Sequence, residues 1–525
     1  MFAAQAWRGL AWRGARVDLG CVESMIVRVS QHVTIPWAGN EAGPDRVGGL
    51  GLGKPTLQLF CTEVPGMLIL DTNRWAQQQF SECELGDERR TRRLVRLAEQ
   101  VMSHPSGGFP EQTETWADLK AAYRLLDRAE VTFQSVAEVH WQQTRKRSAG
   151  RYLVLGDTTE LDFGFHRDIP DLGPTGNGGG WGLLLHSALL VAAEGEEIFG
   201  LAGQTIHYRK AAPKQENTTQ RLERDRESKV WGDVIDAVGR GAEDVELVHV
   251  LDRGADNFEV YCHCLEQEAD WVVRVTQKQR NILTPDDQRV PLRAYLDTLP
   301  LSGTYELMLR ARPGQAARTA KLQVRHGALR VPPPAHQSPY VKRIKPGPIE
   351  MHVVEVREVH ASAGVEPIEW ILLTSLVVQD FEDAWVVIGY YEKRWLIEEW
   401  HKALKTGCRV TERQLKTKHR LEAMVGLLSV VSVCLLQLKS AARAEPDRPA
   451  RRMIPPRWIA LLQAARKNVQ QITSLTVGEF YRELAKLGGF IGRKSDGEPG
   501  WITIWRGWQK LYLMVRGAEL ADTMQ

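Results

Sequence analysis

The sequence predicts an α/β protein, and three observations predict it. Short apolar runs of strand character, YLVLGD ending at Asp157, VELVHVLD ending at Asp252 and WVVRVT beyond it, alternate with a helix-period segment. Residues from about 277 to 374 alternate apolar and polar between Pro- and Gly-rich breaks, which marks a β-rich block inserted between α/β elements. Helix-period segments occupy residues 67–148 and 441–525, on either side of that core.

Residues 1–66 are rich in Gly, Arg and Trp without a sustained period, and are expected to be a poorly ordered extension or to precede the true start. The Gly-rich run near Gly48–Gly53 lacks a following Lys-Ser/Thr and is not a phosphate loop. Residues 67–148 read as helical. Asp87 can cap a helix through ERRTRRLVRLAEQVM, with Leu94, Leu97, Ala98 and Val101 as its apolar stripe and Arg89, Arg92, Arg93 and Arg96 on the other side. Arg89, Arg90 and Arg93 are its candidate DNA contacts. Cations continue at Arg124, Arg128, Arg145, Lys146 and Arg147, as a phosphate-contacting domain requires.

The α/β core spans 149–276. After the strand ending at Asp157 come a Gly-rich turn (173–182), the strand pair WGLLLHSALLVAA and IFGLAGQTIHY, a helix over about 221–238, and the strands ending at Asp252 and within WVVRVT. In the 277–374 block the clearest strands are TYELMLR, AKLQVR, IEMHVVEVREV and EWILLTSL. Residues 375–440 return to helix, 423–438 reading as a buried core helix. Residues 441–457 read as a linker, and WITIWRGWQKLYLMV as a helical tail with exposed aromatics.

Composition sets limits on function. The chain has 525 residues, 43% apolar and 25% charged, with a net charge of +3, so it is an ordinary globular protein and any nucleic-acid role must come from local clusters of Lys and Arg. Its seven scattered cysteines show no disulfide framework or zinc spacing, which points to reduced thiols and a cytoplasmic protein. No signal-peptide h-region is present, and the longest apolar run is shorter than the ~20 residues of a membrane span.

The most informative run is YEKRWLIEEWHKALK. On a helix at about 100° per residue, Tyr391, Arg394, Glu398, Lys402 and Lys405 share one face, and Leu396, Ile397, Trp400, Ala403 and Leu404 cover the other. One side packs into a core while the other presents a carboxylate among cations. Charged helix faces are more often solvated than functional, so the remaining acidic residues decide the reading. Asp157 and Asp252 each end a central strand, where two side chains can converge, and Glu398 supplies a third carboxylate. Such an oxygen-rich set suits Mg²⁺ or Mn²⁺ and in-line phosphodiester chemistry.

DTTELDF from Asp157, VLDRGADN around Asp252 and the Tyr391/Arg394/Glu398/Lys405 set resemble the three blocks of bacterial DDE transposases. The last fits the Y-x2-R-x3-E-x6-K pattern of the insertion-sequence-four family, and the likeness is nearest to cut-and-paste enzymes of the transposon Tn-five type. LGDERRTRRLVRLAE resembles that family's DNA-recognition helix, and KLGGF and IWRGWQKL resemble its C-terminal dimerisation region.

The resemblance implies an RNase H-like mixed sheet with flanking helices and a β-rich insertion, between helical DNA-binding and dimerisation domains. It implies Asp157, Asp252 and Glu398 as catalytic ligands of two Mg²⁺ ions (Mn²⁺ as a substitute). Tyr391, Arg394, Lys402 and Lys405 would contact DNA near the cut. Trp370, by its offset from Tyr391, would stack on a flipped base. The implied partners are double-stranded DNA, as inverted-repeat ends and as target, and a second copy of the chain; the implied reaction is cut-and-paste transposition through a hairpin. A non-transposing nuclease and an inactive DNA-binding remnant remain as alternatives.

Overall fold

The computed structural model describes residues 72–524, except 165–168, 177–178, 196, 212, 214, 225, 310–316, 362–363, 445, 453, 467–473 and 494–495. The expected 1–66 extension lies outside the described residues.

Among the described residues twelve strands join in one sheet: β1 (Gly150–Asp162), β2 (Gly173–Thr175), β3 (Gly180–Ala192), β4 (Ile198–His207), β5 (Val245–Leu251), β6 (Asp270–Arg274), β7 (Asn281–Leu283), β8 (Arg289–Pro291), β9 (Gly303–Leu309), β10 (Arg318–Val331), β11 (Ile349–Val359) and β12 (Glu369–Thr374). β1, β3 and β4 form an antiparallel meander, and β5 and β6 then run parallel to β1. Parallel neighbours need helical crossovers, which the Val230–Val238 and Phe258–Glu266 helices supply. This is the mixed sheet that the RNase H-like expectation requires.

The β-rich insertion does not form a sheet of its own. β12 returns to pair antiparallel with β6 (Leu372 opposite Arg274), and β11 and β10 extend the same sheet outward. The insertion is thereby fixed at the edge of the core, and β12 leads through the Asp380 cap into the Phe381–Lys393 helix.

Two helical segments differ from their sequence reading. The single helix expected across 391–405 is two pieces, Phe381–Lys393 and Trp395–Lys402, joined at Arg394 and followed by a π-helical turn, Ala403–Gly407. The core helix runs farther than expected, over Lys418–Ala444. Its Lys418–Gln437 stretch is long and apolar enough to cross a membrane by composition, but most of it is buried inside the protein. A helix apolar all round is what such a central position calls for.

The N-terminal helix Glu88–Ser103 is capped by Asp87, whose side chain accepts from the Arg89 amide, as expected. Its arginines divide into two groups. Arg93 and Arg96 both reach the buried carboxylate of Asp118, and Arg90 bonds the Leu85 carbonyl and pairs with Glu130. Arg93 therefore braces the domain internally, because a buried Asp118 needs cationic partners, while Arg90 is tied back to the domain by the Leu85 carbonyl and the exposed Glu130. Arg89 stands out at 83% exposure, and Arg92 is also largely exposed. Arg145 likewise binds the Ala202 and Ala237 carbonyls of the core.

The C-terminal aromatics expected to be exposed are buried. Trp501, Trp505 and Trp508 recur at helical spacing on the inner face of the Trp501–Thr523 helix, and Trp508 meets Trp458 at a centroid distance of 4.8 Å. The outer face carries exposed Ile502, Leu513 and Leu520 instead. That helix crosses the Val477–Leu487 helix at two glycines. A Cβ on Gly507 would overlap the Leu484 carbonyl, and one on Gly488 the Thr503 carbonyl. A backbone contact this close tolerates no side chain. Gly507→Ala is expected to cost at least ~1–3 kcal/mol, read as a lowered urea midpoint for the C-terminal segment. An unchanged midpoint would show that the two helices do not cross here.

Candidate active site

The site starts from sheet register. β1 and β5 are parallel with Gly156 opposite Leu251, so Asp157 within β1 and Asp252 just past the end of β5 come side by side. β1 runs on to Asp162, because β3 pairs with it throughout, and Asp157 does not end its strand as the sequence reading expected. Asp252 caps the tight turn Arg253–Ala255, its Oδ1 accepting from the Gly254 amide at 2.7 Å. Asp157 accepts from the Thr158 amide at 2.8 Å. Glu398 comes from the Trp395–Lys402 helix, which packs over β1.

Arg394, at the joint between the two helix pieces, connects these elements. Its Nη1 donates to Asp157 Oδ2 at 3.2 Å and its Nη2 to Glu398 Oε1. Burial pushes the Asp157 carboxyl up to about 7; Arg394 works against this, and the charges of Asp252 and Glu398 add to it. Burial works against the Arg394 charge, but Asp157, Tyr391 and Glu398 more than offset it and raise its pKa. Asp157 thus feels both other carboxylates, and one guanidinium bridges it to Glu398 in a half-buried site.

Two aromatic side chains continue from it. The Arg394 guanidinium lies over the Tyr391 ring, 5.9 Å from its centroid, and Tyr391 meets Trp370 of β12 edge-on at 5.5 Å. Tyr391 is buried and Trp370 half-buried. The insertion therefore delivers Trp370 to the carboxylate centre through the β12–β6 pairing. Lys405, carried by the π-helical turn, feels the charges of Glu160 and Asp157, which partly oppose the downward push of burial on its pKa.

Lys402 departs from its expected role. Its Nζ binds Glu399 Oε1 at 3.1 Å, and Glu399 also receives Lys439 from the core helix. Glu399 and Lys439 are only 1% and 3% exposed. Burial opposes the Glu399 charge, yet Lys439 and Lys402 hold its carboxyl below the usual range. Lys439 also lies 4.5 Å over the Trp501 ring. Lys402 is therefore part of an internal ion cluster joining the Glu398 helix, the core helix and the C-terminal helix. Helical spacing alone placed it beside Glu398 and did not show the buried acid that claims it.

Two buried histidines were not singled out in the sequence. His186, opposite Thr158 in β3, shares a 2.7 Å hydrogen bond with the Thr158 hydroxyl, and burial pushes its pKa down to about 3. His401, three residues after Glu398, is held well below its ordinary pKa by burial and by the Lys405 charge, and its Nε2 is buried without a partner. Both are neutral near pH 7. The cross-strand register of His186 with the residue after Asp157 is the signal that finds the first.

No three His, Cys, Asp or Glu side chains among the described residues form a ready-made metal cage. Mg²⁺ rarely uses such a cage; it takes one or two carboxylates and completes its shell with water and substrate phosphate. Two carboxylates that already share a cation, with a third at the adjacent strand end, fit that requirement.

Three segments match family models: Transposase DNA-binding over residues 72–131, Transposase DDE domain over 223–434 and Transposase Tn5 dimerisation domain over 430–525. The DDE match includes Asp252 and Glu398 but begins after Asp157, so the place of Asp157 rests on its register with Asp252.

Lys402→Ala is expected to lower the melting temperature with end-DNA affinity little changed, while Lys405→Ala weakens end-DNA binding with stability kept; thermal melts and gel shifts on both variants separate the two roles. Lys439→Met leaves Glu399 buried with only Lys402 and is expected to destabilise by about 3 kcal/mol or more, measured by denaturant titration. A loss under about 1 kcal/mol would mean that water reaches this pair.

Proposed function

The chain is a Tn5-like DDE transposase, and from that premise we propose that it moves its own insertion element by a cut-and-paste route. Asp157, Asp252 and Glu398 are the catalytic carboxylates of this reading. They would hold Mg²⁺, as two ions, with Mn²⁺ as a substitute. Bound there, the metal polarises the scissile phosphate and lowers the pKa of the attacking hydroxyl. What supports this most is the Asp157–Arg394–Glu398 bridge beside the Asp252 strand end.

Every step is then one in-line displacement at phosphorus. Water attacks one strand at the element's end. The freed 3′-hydroxyl attacks the opposite strand and closes a hairpin. A second water opens it, and the same hydroxyl attacks target DNA. Hairpin closure and strand transfer each make one P–O bond and break another, so they need no external energy source and no covalent protein intermediate.

The side chains around the carboxylates divide this work. Arg394 and Lys405 bring positive charge beside the acids, where the phosphates of the cut would lie. Tyr391 fixes the Arg394 plane. Trp370 offers a face for an extruded base, which offsets the pairing lost where a hairpin bends the backbone. Exposed Arg89 and Arg92 are the stronger phosphate contacts of the recognition helix; Arg90 and Arg93 act through the packing of that helix. The apolar outer face of the last helix is where a second copy would pair, bringing two inverted-repeat ends together at the DNA in the cytoplasm. Taken together, the domains read as 67–148 for DNA recognition, 149–276 with 375–440 for catalysis, 277–374 as insertion and 441–525 for dimerisation.

Glu398→Ala is expected to bind the element's terminal repeat as the parent does and to lose Mg²⁺-dependent nicking by at least about 10³-fold. Nicking at the parental rate would refute the carboxylate assignment. Trp370→Ala is expected to nick normally and to accumulate nicked ends in place of hairpins on a denaturing gel. Hairpins at the parental level would remove Trp370 from the reaction.

A further inference from the structure

We propose that Arg394 competes directly with the catalytic metal. In the DNA-free protein its guanidinium occupies carboxylates the ion must take, and a phosphate of end DNA draws it away, so that DNA and metal bind cooperatively. This rests on the carboxylate reading above and adds an order to it.

The geometry supports it in three ways. The two terminal nitrogens of Arg394 are spent on two different acids, Asp157 from the sheet and Glu398 from the helix, so one side chain spans both. A divalent ion on the same oxygens would face the guanidinium at contact distance, and two cations so placed repel in a half-buried site. Further, the Arg394 fork is not fully used: its Nε is buried without an acceptor. A guanidinium matches the oxygens of a phosphate in two parallel bonds, so a phosphate satisfies groups that the two carboxylates leave unmet. Finally, Arg394 sits where the helix breaks, between Lys393 and Trp395, and stacks over Tyr391. It can turn toward bound DNA without pulling Glu398 out of its helix.

The rival arrangement is a permanent bridge, in which Arg394 keeps one oxygen of each carboxylate and the ion takes the others. The two arrangements differ in linkage. If Arg394 competes, DNA must raise metal affinity, and metal must raise DNA affinity by the same factor. If the bridge is permanent, neither affects the other through this residue.

The test is Mn²⁺ binding, followed by electron paramagnetic resonance, to the full chain with and without a non-cleavable duplex of the terminal repeat. Without DNA, Arg394→Gln is expected to bind Mn²⁺ about tenfold more tightly than the parent. Phosphate ligation of the ion lets saturating duplex tighten both proteins, but it is expected to tighten the parent about tenfold more than the variant. Arg394→Lys, which cannot span both acids, is expected to fall between. Equal Mn²⁺ affinity of parent and Arg394→Gln without DNA would overturn the proposal. Glu398→Gln separates the two readings: if it keeps every parental Mn²⁺ site, the carboxylate assignment itself fails. If it loses the ion while Arg394→Gln gains nothing, only the competition fails. Should Arg394→Gln not fold, Arg394→Lys decides through its Mn²⁺ affinity without DNA. Tighter Mn²⁺ binding than the parent supports competition, and equal binding refutes it.

Discussion

Like charges brought together in a half-buried site repel unless a cation is shared or one acid is protonated, and in this protein Arg394 is the shared cation. Asp157 lies in the sheet and Glu398 on a helix far along the chain, and the guanidinium between them is their common partner. Around that bridge the other elements take their places: the parallel register that sets Asp252 beside Asp157, the helix joint that positions Arg394, and the π-helical turn that carries Lys405. Burial pushes the Asp157 pKa up, and the arginine charge works against this.

The sheet explains how a β-rich insertion serves the same centre. Because β12 pairs with β6, the insertion is an outward extension of the core, and Trp370 comes to Tyr391 on a rigid strand. On the opposite side, the Glu399–Lys439 pair and the Trp501 ring connect the Glu398 helix to the segment that matches a dimerisation domain. The helix with the third carboxylate is thus held between two parts of the protein that sequence distance would separate. Buried ion pairs add little net stability but are costly to break, so this cluster fixes one register of the Glu398 helix.

Much of this was legible in the sequence, and the boundary has physical causes. Asp157 and Asp252 stood out because apolar runs end abruptly in an acid, although only β5 ends there and β1 continues to Asp162, and the 391–405 face stood out because helical spacing is local. The break at Arg394 carried no Pro or Gly to announce it. Lys402 was misplaced because its partner acid is chosen by Lys439, from another helix. Arg90 and Arg93 looked like DNA contacts because nothing local marks Asp118 and Glu130 as their partners. The tryptophans of the last helix looked exposed because the opposing Trp458 lies in a separate helix. The union of insertion and core depends on a strand pairing far apart in sequence. Features set within one turn or one strand were readable, and features set by long-range partners were not.

The central claim is that residues 157, 252 and 398 share divalent cations. Anomalous diffraction from crystals grown with Mn²⁺ and terminal-repeat DNA tests it most directly. Manganese is expected within about 2.0–2.6 Å of carboxylate oxygens of Asp157 and at least one of Asp252 and Glu398, with Arg394 turned onto a phosphate. Manganese bound elsewhere, with these three side chains unliganded, would contradict it.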